Sequence, residues 1–326
     1  MLIKTPKFWL RRNFISYSLL PLSLVYQAVA LFIAMMRESE KVAKPIVCIG
    51  NLTFGGSGKT PVALAIGKIL QEMNIEFSYL SRGYLGKEGQ FGYVDKVKSM
   101  SRDVGDEPLI LAEVAPTFIA KNRLFGAKEI AKNRKIQMIV LDDGMQNNSL
   151  KKDLTILVID DKVQFGNEFL FPAGPLRESI SDGLAKTDFV IVVGEIDKNL
   201  QQILAEKKVI SAKIKAANLD KFTGQKLMAF CGLAYPEKFF TFLENKGLEV
   251  VAKQDFADHH PYKISELEWL IAEAKKQDAK LITTKKDWVK FPANFKRKIE
   301  YLDIDLELEN KELIKGELKK LLVKND

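Results

Sequence analysis

Between an apolar, β-branched run, Lys44 to Gly50 (KPIVCIG), and a helical pattern from Thr60 to Met73 stands Gly55-Gly56-Ser57-Gly58-Lys59-Thr60. A glycine-rich turn in that setting can wrap backbone N–H groups around phosphate oxygens, and the positive end of the following helix adds to the attraction. Lys59 would reach the β- and γ-phosphates of a nucleotide, and the Thr60 hydroxyl would bind Mg²⁺. The general phosphate-loop pattern has glycine five positions before Gly58, where this chain has Thr53. A second cluster, Asp142-Asp143-Gly144, follows the apolar run Met138 to Leu141. A carboxylate at the end of a strand beside the phosphate-loop strand can organise Mg²⁺, although the same tripeptide also serves as an ordinary strand-ending turn. The histidines are the adjacent pair His259-His260, and the cysteines are Cys48 and Cys231. Without CxxC or Cys/His spacing they exclude a zinc ribbon and a disulfide scaffold, and buried inert thiols in a reducing compartment are expected.

These groups must be positioned by regular elements. Buried strands are predicted at Lys44 to Gly50, Phe77 to Leu80, Thr117 to Ala120, Met138 to Leu141, Thr155 to Ile159 and Phe189 to Val193. Helical stretches, including Arg123 to Lys132, lie between several of them, and such alternation argues for a parallel sheet covered on both faces. A second set follows: strand LMAFCG from Leu227, helices Glu237 to Asn245 and Ser265 to Lys276, strands KLITT and IEYLDI, and a terminal helix. The polar stretch around Lys207 to Gly224 reads as a hinge.

At 326 residues the chain can hold two globular units. Its 47% hydrophobic and 28% charged residues exclude wholesale disorder, and the net charge of +8 favours acidic partners: nucleic acid, anionic lipid headgroups or phosphorylated substrates. From Phe14 to Met36 there is no charged residue. As one helix that run would be long enough to cross roughly 30 Å of hydrocarbon. It lacks the short apolar core and small-residue cleavage site of a secretory signal. Lys4, Lys7, Arg11 and Arg12 precede it. Their slight excess over the basic residues that follow would place a spanning chain's globular part outside the cell, where a nucleotide-using domain cannot work. A helix lying in the interface, its basic flank on anionic headgroups, is preferred to a single span, and a buried soluble helix stays open because Ser16, Ser18, Pro21, Ser23, Tyr26 and Gln27 dilute the run.

Taken together, GNLTFGGSGKTPV (Gly50 to Val62), SRGY (Ser81 to Tyr84), VGDEP (Val104 to Pro108), LDDGMQ (Leu141 to Gln146), FPAGPLRE (Phe171 to Glu178), FADHHPY (Phe256 to Tyr262) and TTKKD (Thr283 to Asp287) resemble the tetraacyldisaccharide 4′-kinase family. The order of the blocks covers nearly the whole chain, and Thr53 resembles a family trait. The resemblance implies a P-loop-type α/β fold with helices on both faces of a parallel sheet, a smaller second α/β/α unit and an N-terminal membrane-associated helix. Its division would be 1–40 for the helix, 41–206 for the kinase core, 207–225 for the hinge and 226–326 for the C-terminal unit. The implied reaction is ATP- and Mg²⁺-dependent phosphorylation of the 4′-hydroxyl of a tetraacylated glucosamine disaccharide 1-phosphate to form lipid IVA. It would run at the cytoplasmic face of the inner membrane, with no nucleic-acid partner and an oligomeric state left open.

Residue roles follow from the matched motifs. Thr53, Gly55, Gly56, Ser57, Gly58, Lys59 and Thr60 would hold the nucleotide. Thr60, Asp142, Asp143 and Glu178 would organise the metal, with Arg177 beside the transferred phosphoryl group. Asp106 would take the proton from the sugar hydroxyl, oriented by His259, with His260 as second choice; by itself Asp106 reads as a helix cap and the histidine pair as a loop. Arg82, Tyr84, Arg123 and Gln146 would contact the acceptor. The chain departs from the family at Met145 and Asn147, where Phe and His are usual. Two other functions fit parts of the sequence. Thr284-Lys285-Lys286-Asp287 reads as the TKxD motif with which a GTPase holds guanine, although Leu141 breaks the DxxG switch. A membrane-tethered nucleotide-binding adaptor would show the loop without phosphate transfer to a lipid.

Overall fold

A computed structural model describes residues 6–36, 38–83, 86 and 91–323. Its strands are β1 (Ile46–Gly50), β2 (Phe77–Ser81), β3 (Phe91–Tyr93), β4 (Thr117–Ala120), β5 (Met138–Asp142), β6 (Leu154–Asp160), β7 (Phe189–Val193) and β8 (Lys208–Ala216). After them come β9 (Lys226–Cys231), β10 (Glu249–Asp255), β11 (Lys280–Thr284), β12 (Glu300–Leu302) and β13 (Ile304–Leu308).

The large sheet runs β13-β8-β7-β6-β1-β5-β2-β4-β3 and is parallel except at its edge pairs, β13 with β8 and β3 with β4. All five residues of β1, β5 and β7 are buried, because helices cover both faces; such strands appear in sequence as unbroken apolar runs. The helix Lys59–Glu72 packs Val62, Ile66, Ile69 and Leu70 onto one face at helical spacing. On the opposite face Ala127 and Ile130, from the helix Arg123–Ala131, join Leu80, Ile139 and Leu141. β1 lies between β5 and β6, with β2, β4 and β5 added on one side of it and β6, β7 and β8 on the other. A crevice therefore opens at the carboxyl ends of β1, β5 and β6, the usual place for a ligand in an open α/β sheet.

The small sheet, β10-β9-β11-β12, is parallel and is covered on one face by the helix Pro236–Asn245 and on the other by the helix Ile264–Lys276. The stretch that reads as a polar hinge contains β8, β10 stands where the sequence predicts no strand, and the apolar run IEYLDI divides at Asp303 between the two sheets. The chain then returns through β13, and Ile314, Leu318 and Leu321 of the last helix pack on the large sheet's core. The units also meet through a smaller apolar cluster in which Val289 packs with Val104, Leu109 and Ile110.

The uncharged N-terminal run is broken at Leu19 into helices Phe14–Ser18 and Leu20–Met35. Sixteen residues span about 24 Å at 1.5 Å per residue, and no helix among the described residues is long and apolar enough to cross a membrane. The longer helix is docked by polar contacts. Ser23 Oγ donates to the Leu170 carbonyl (2.8 Å) and accepts from the Ala173 amide (3.1 Å), and, ahead of both helices, Trp9 Nε1 donates to the Pro172 carbonyl (3.1 Å). Its other face leaves Leu22, Leu24, Val25, Val29 and Phe32 more than half exposed.

Candidate active site

The helix Lys59–Glu72 begins at Gly58, whose φ of +83° a side chain would strain. This turn aims the helix's first amides back over the end of β1. Lys59 lies in the fold of the loop, donating to Asn51 Oδ1 (3.2 Å) and standing 3.8 Å from Asp143 Oδ1. Ser57 is buried with its hydroxyl unpartnered. Thr53 is pinned rather than free: Asn51 Nδ2 donates to its carbonyl (2.7 Å), and it bridges to Leu176. Backbone bonds from the Phe54 amide to the Pro175 carbonyl (2.8 Å) and from the Arg177 amide to the Leu52 carbonyl (2.7 Å) lock the loop to the FPAGPLRE segment.

Asp142 ends β5, buried, with Ser81 Oγ donating to one carboxylate oxygen (3.3 Å) and the other oxygen lacking a partner. Burial, then the nearby Glu107 and Asp143 carboxylates, push it up to about 7. Its neighbour Asp143 is held down at about 2, because Lys59 and the Arg177 guanidinium (2.8 and 3.3 Å) outweigh the cost of burial. An orphaned carboxylate oxygen beside a phosphate loop fits a hard cation, with Thr60 and nucleotide phosphates able to complete the oxygen set. No group of three His, Cys, Asp or Glu side chains stands together as a metal site among the described residues. Glu178 is engaged by Gln146 Nε2 (3.0 Å) and Lys186 Nζ (2.6 Å) instead. Gln146 in turn donates to the Asn51 carbonyl (2.8 Å) and accepts from Arg177 (3.2 Å), so it braces the loop.

Asp106 opens the short helix Asp106–Leu111, after Gly105 at φ +93°. Its carboxylate faces His259 Nδ1 at 2.9 and 3.1 Å, across from the C-terminal unit. Burial would raise the Asp106 carboxyl, but the His259 hydrogen bond and the Lys286 and Lys290 ammonium groups outweigh it and leave the group depressed. His259 adopts φ +58°, a conformation histidine tolerates better than most residues, with its amide on Asp258 Oδ1 (3.0 Å). His260 turns the other way, onto Glu266 (3.0 Å) and the Phe256 ring.

A cleft of about 1080 Å³ joins the phosphate loop, Asp143, Arg177 and His259. Arg82 and Arg123 also line it; Arg82 is exposed, whereas Arg123 is buried, donates to the Ala120 carbonyl (3.1 Å) and is lowered to about 10 by burial and then by Arg82. Tyr84 lies outside the described residues. Met145 is buried against Gly50, and Asn147 lines the cleft with Oδ1 accepting from Ser149 (2.9 Å). Cys48 and Cys231 are free and buried, and burial pushes Cys48 up to about 12.

Sequence reasoning did not single out Asn51, Lys286 or Lys290. Asn51 could have been found from its place at the end of the phosphate-loop strand; the lysines are two among the 50 Lys and Arg residues. The guanine-binding alternative loses its key residue. Asp287 is wholly buried and occupied by the Gly232 amide (2.9 Å), the Thr284 hydroxyl (2.8 Å) and Lys290 (2.9 Å).

Residues 15–322 match the family described as tetraacyldisaccharide-1-P 4′-kinase. The chain is 39% identical to the tetraacyldisaccharide 4′-kinase of Rhodospirillum rubrum over 93% of each protein, and 36% identical to that of Paramagnetospirillum magneticum over 94% of each. Its fold is similar to a crystal structure of the "apo" form of LpxK from Aquifex aeolicus in complex with ATP. That likeness has a TM-score of 0.75 at 23% identity and covers 94% of this chain and 99% of the other.

Proposed function

The chain belongs to the tetraacyldisaccharide-1-P 4′-kinase family, and from that premise we infer that it transfers the γ-phosphoryl group of ATP to the 4′-hydroxyl of a tetraacylated disaccharide 1-phosphate, forming lipid IVA in lipid A assembly. The observation that supports the mechanism is that His259, which lines the same cleft as Lys59, is hydrogen-bonded to the buried Asp106 carboxylate. The sugar oxygen attacks the γ-phosphorus while its proton passes to an Asp106 oxygen. A new O–P bond forms, the bond to the β–γ bridging oxygen breaks, and ADP leaves. In a loose transition state the hydroxyl proton departs late, so an oriented carboxylate serves even though its basicity is modest. Lys59 and Arg177 offer cationic donors to the charge on the transferring oxygens. Thr60, Asp142 and Asp143 would hold Mg²⁺, which would offset phosphate charge when bound; Glu178 would join them after release from Gln146 and Lys186.

Arg82, Arg123, Tyr84 and Gln146 would meet the acceptor's phosphate and acyl amides. The exposed apolar face of Leu20–Met35 would lie in the membrane interface and hold the cleft at the depth of the lipid headgroup, on the cytoplasmic side where ATP is available. Residues 226 to 302 would close on a core formed by residues 41 to 206 and the returning last strand and helix. Incubation with γ-labelled ATP and the disaccharide lipid, followed by chromatography, tests the reading. Label must enter the lipid, and hydrolysis without lipid labelling would favour the adaptor function instead.

A further inference from the structure

Behind the Asp106–His259 pair stand two lysines four positions apart, both from the C-terminal unit: Lys286 on the short helix Lys285–Trp288 and Lys290 in the turn after it. Lys286 Nζ lies 3.1 Å from His259 Nε2 and 3.1 Å from Asp258 Oδ1. A lysine ammonium has donors and no acceptor, so in this contact the ring nitrogen supplies the lone pair. The ring proton of a neutral imidazole then sits on Nδ1, the atom 2.9 and 3.1 Å from the two Asp106 oxygens. Lys290 Nζ approaches the same carboxylate at 3.7 Å, fixed from behind by the wholly buried Asp287 (2.9 Å).

We propose that Lys286 is a positioning residue for phosphoryl transfer: it fixes His259 as the Nδ1–H tautomer, so that the ring donates to Asp106 and turns a carboxylate lone pair to the sugar hydroxyl. The inference rests on Asp106 being the proton acceptor. The charged groups facing the pair are Lys286, Lys290, Asp258 and, 4.0 Å from Lys286, Glu107. Asp106, Asp258 and Glu107 raise Lys286 above the usual lysine value despite its burial, which keeps it a donor at neutral pH. In the opposite tautomer the Nδ1 lone pair would point at a carboxylate, and Asp106 would have to rotate away.

The chain's two histidines make the tautomer directly visible. Full-length protein labelled with ¹⁵N in its histidine rings is examined in detergent micelles at neutral pH, with His260→Ala assigning the signals. The wild type should show His259 with Nδ1 protonated and Nε2 bare. Lys286→Met should introduce Nε2-protonated forms and lower kcat by roughly ten- to a hundredfold, on the scale of outer-shell partners of functional histidines, with both KM values little changed. Lys286→Arg, which keeps a donor, should retain the Nδ1–H form and most of the rate. A wild-type ring protonated on Nε2 would overturn the proposal, as would an unchanged tautomer in a folded Lys286→Met protein. If Asp106→Ala turns over normally, the proton-acceptor assignment itself fails, whatever the ring signals show.

Discussion

Tyr26 Oη donates to the Arg177 carbonyl over 3.2 Å, so the apolar N-terminal helix is hydrogen-bonded to the residue whose guanidinium holds Asp143. Its ring also meets Phe171, which packs with Trp9 and Phe54. The helix therefore has an inner face tied to the candidate active site and an outer apolar face with no polar duty. Substitutions on the outer face separate the two roles. Leu24→Glu with Phe32→Glu, at positions 67% and 64% exposed, should abolish cosedimentation with anionic vesicles, since each buried side chain of this size contributes about 1.5–3 kcal/mol. ATP binding should be unchanged. Persistent sedimentation in high salt would place the anchor elsewhere. Deleting residues 1–36 is a harsher change, because it also bares Phe54 and Phe171.

Lys59→Ala should lower turnover by at least about a hundredfold, since it removes a donor aimed at charge that develops on the transferring group. The fold should tolerate the loss. The Asn51 amide oxygen loses a hydrogen bond, a cost near 1 kcal/mol, and Asp143 loses the 3.8 Å Lys59 contact but keeps Arg177, so thermal melting should fall by no more than about 3 °C. Lipid labelling at the wild-type rate would remove the phosphate loop from the mechanism.

How far the sequence could be read depended on what each strand touches. The bounds of β4, β7 and β11 coincide with the expected ones because strands buried on both faces carry continuous apolar runs. In β8 only Ile210 and Ala212 are buried, while Lys213 and Lys215 pair with Glu309 and Glu307 across to β13 (2.9 and 2.8 Å). A strand closed by a charge ladder looks like a polar linker until its partner is known. β10 has no fully buried residue and so shows no apolar run, although its partner β9 is apolar. The phosphate loop was legible because its residues are contiguous. Asp106 and His259 are 153 positions apart, so family resemblance, rather than spacing, brings them together, and Lys286 lies inside the TTKKD block only at the unspecified position of the TKxD pattern.

Kinetics can test whether Asp106 and His259 work as one unit. Asp106→Ala should reduce kcat by about a hundredfold or more, with smaller effects on KM for either substrate. His259→Ala should act in the same direction and more mildly. The double variant should be far less impaired than the product of the two, because each single change already disables the shared step. His260→Ala removes a contact to Glu266 and two aromatic neighbours, so its cost should appear as stability rather than rate. A slower enzyme from His260→Ala than from His259→Ala would reverse the assignment within the pair.

Acid unfolding offers an independent reading of the same carboxylate. Folding depresses Asp106: the His259 hydrogen bond and the two lysines favour its ionised form more than burial opposes it. A carboxylate lowered in this way contributes stability that is present above its unfolded value, about 3.9, and is lost as pH falls toward the folded one. The unfolded chain takes up the proton first, so in that window acid stabilises the unfolded state. Asp106→Asn removes this titration and leaves Lys286 and Lys290 without their shared counter-charge at every pH. The wild type should therefore exceed the variant in stability most clearly at neutral pH, and the gap should narrow as pH falls below about 4. Urea unfolding of both proteins between neutral pH and pH 3 measures the gap directly. A difference that stays constant, or widens, on the acid side would mean that Asp106 is not held ionised by the lysines, and the electrostatic account of the pair would have to be abandoned.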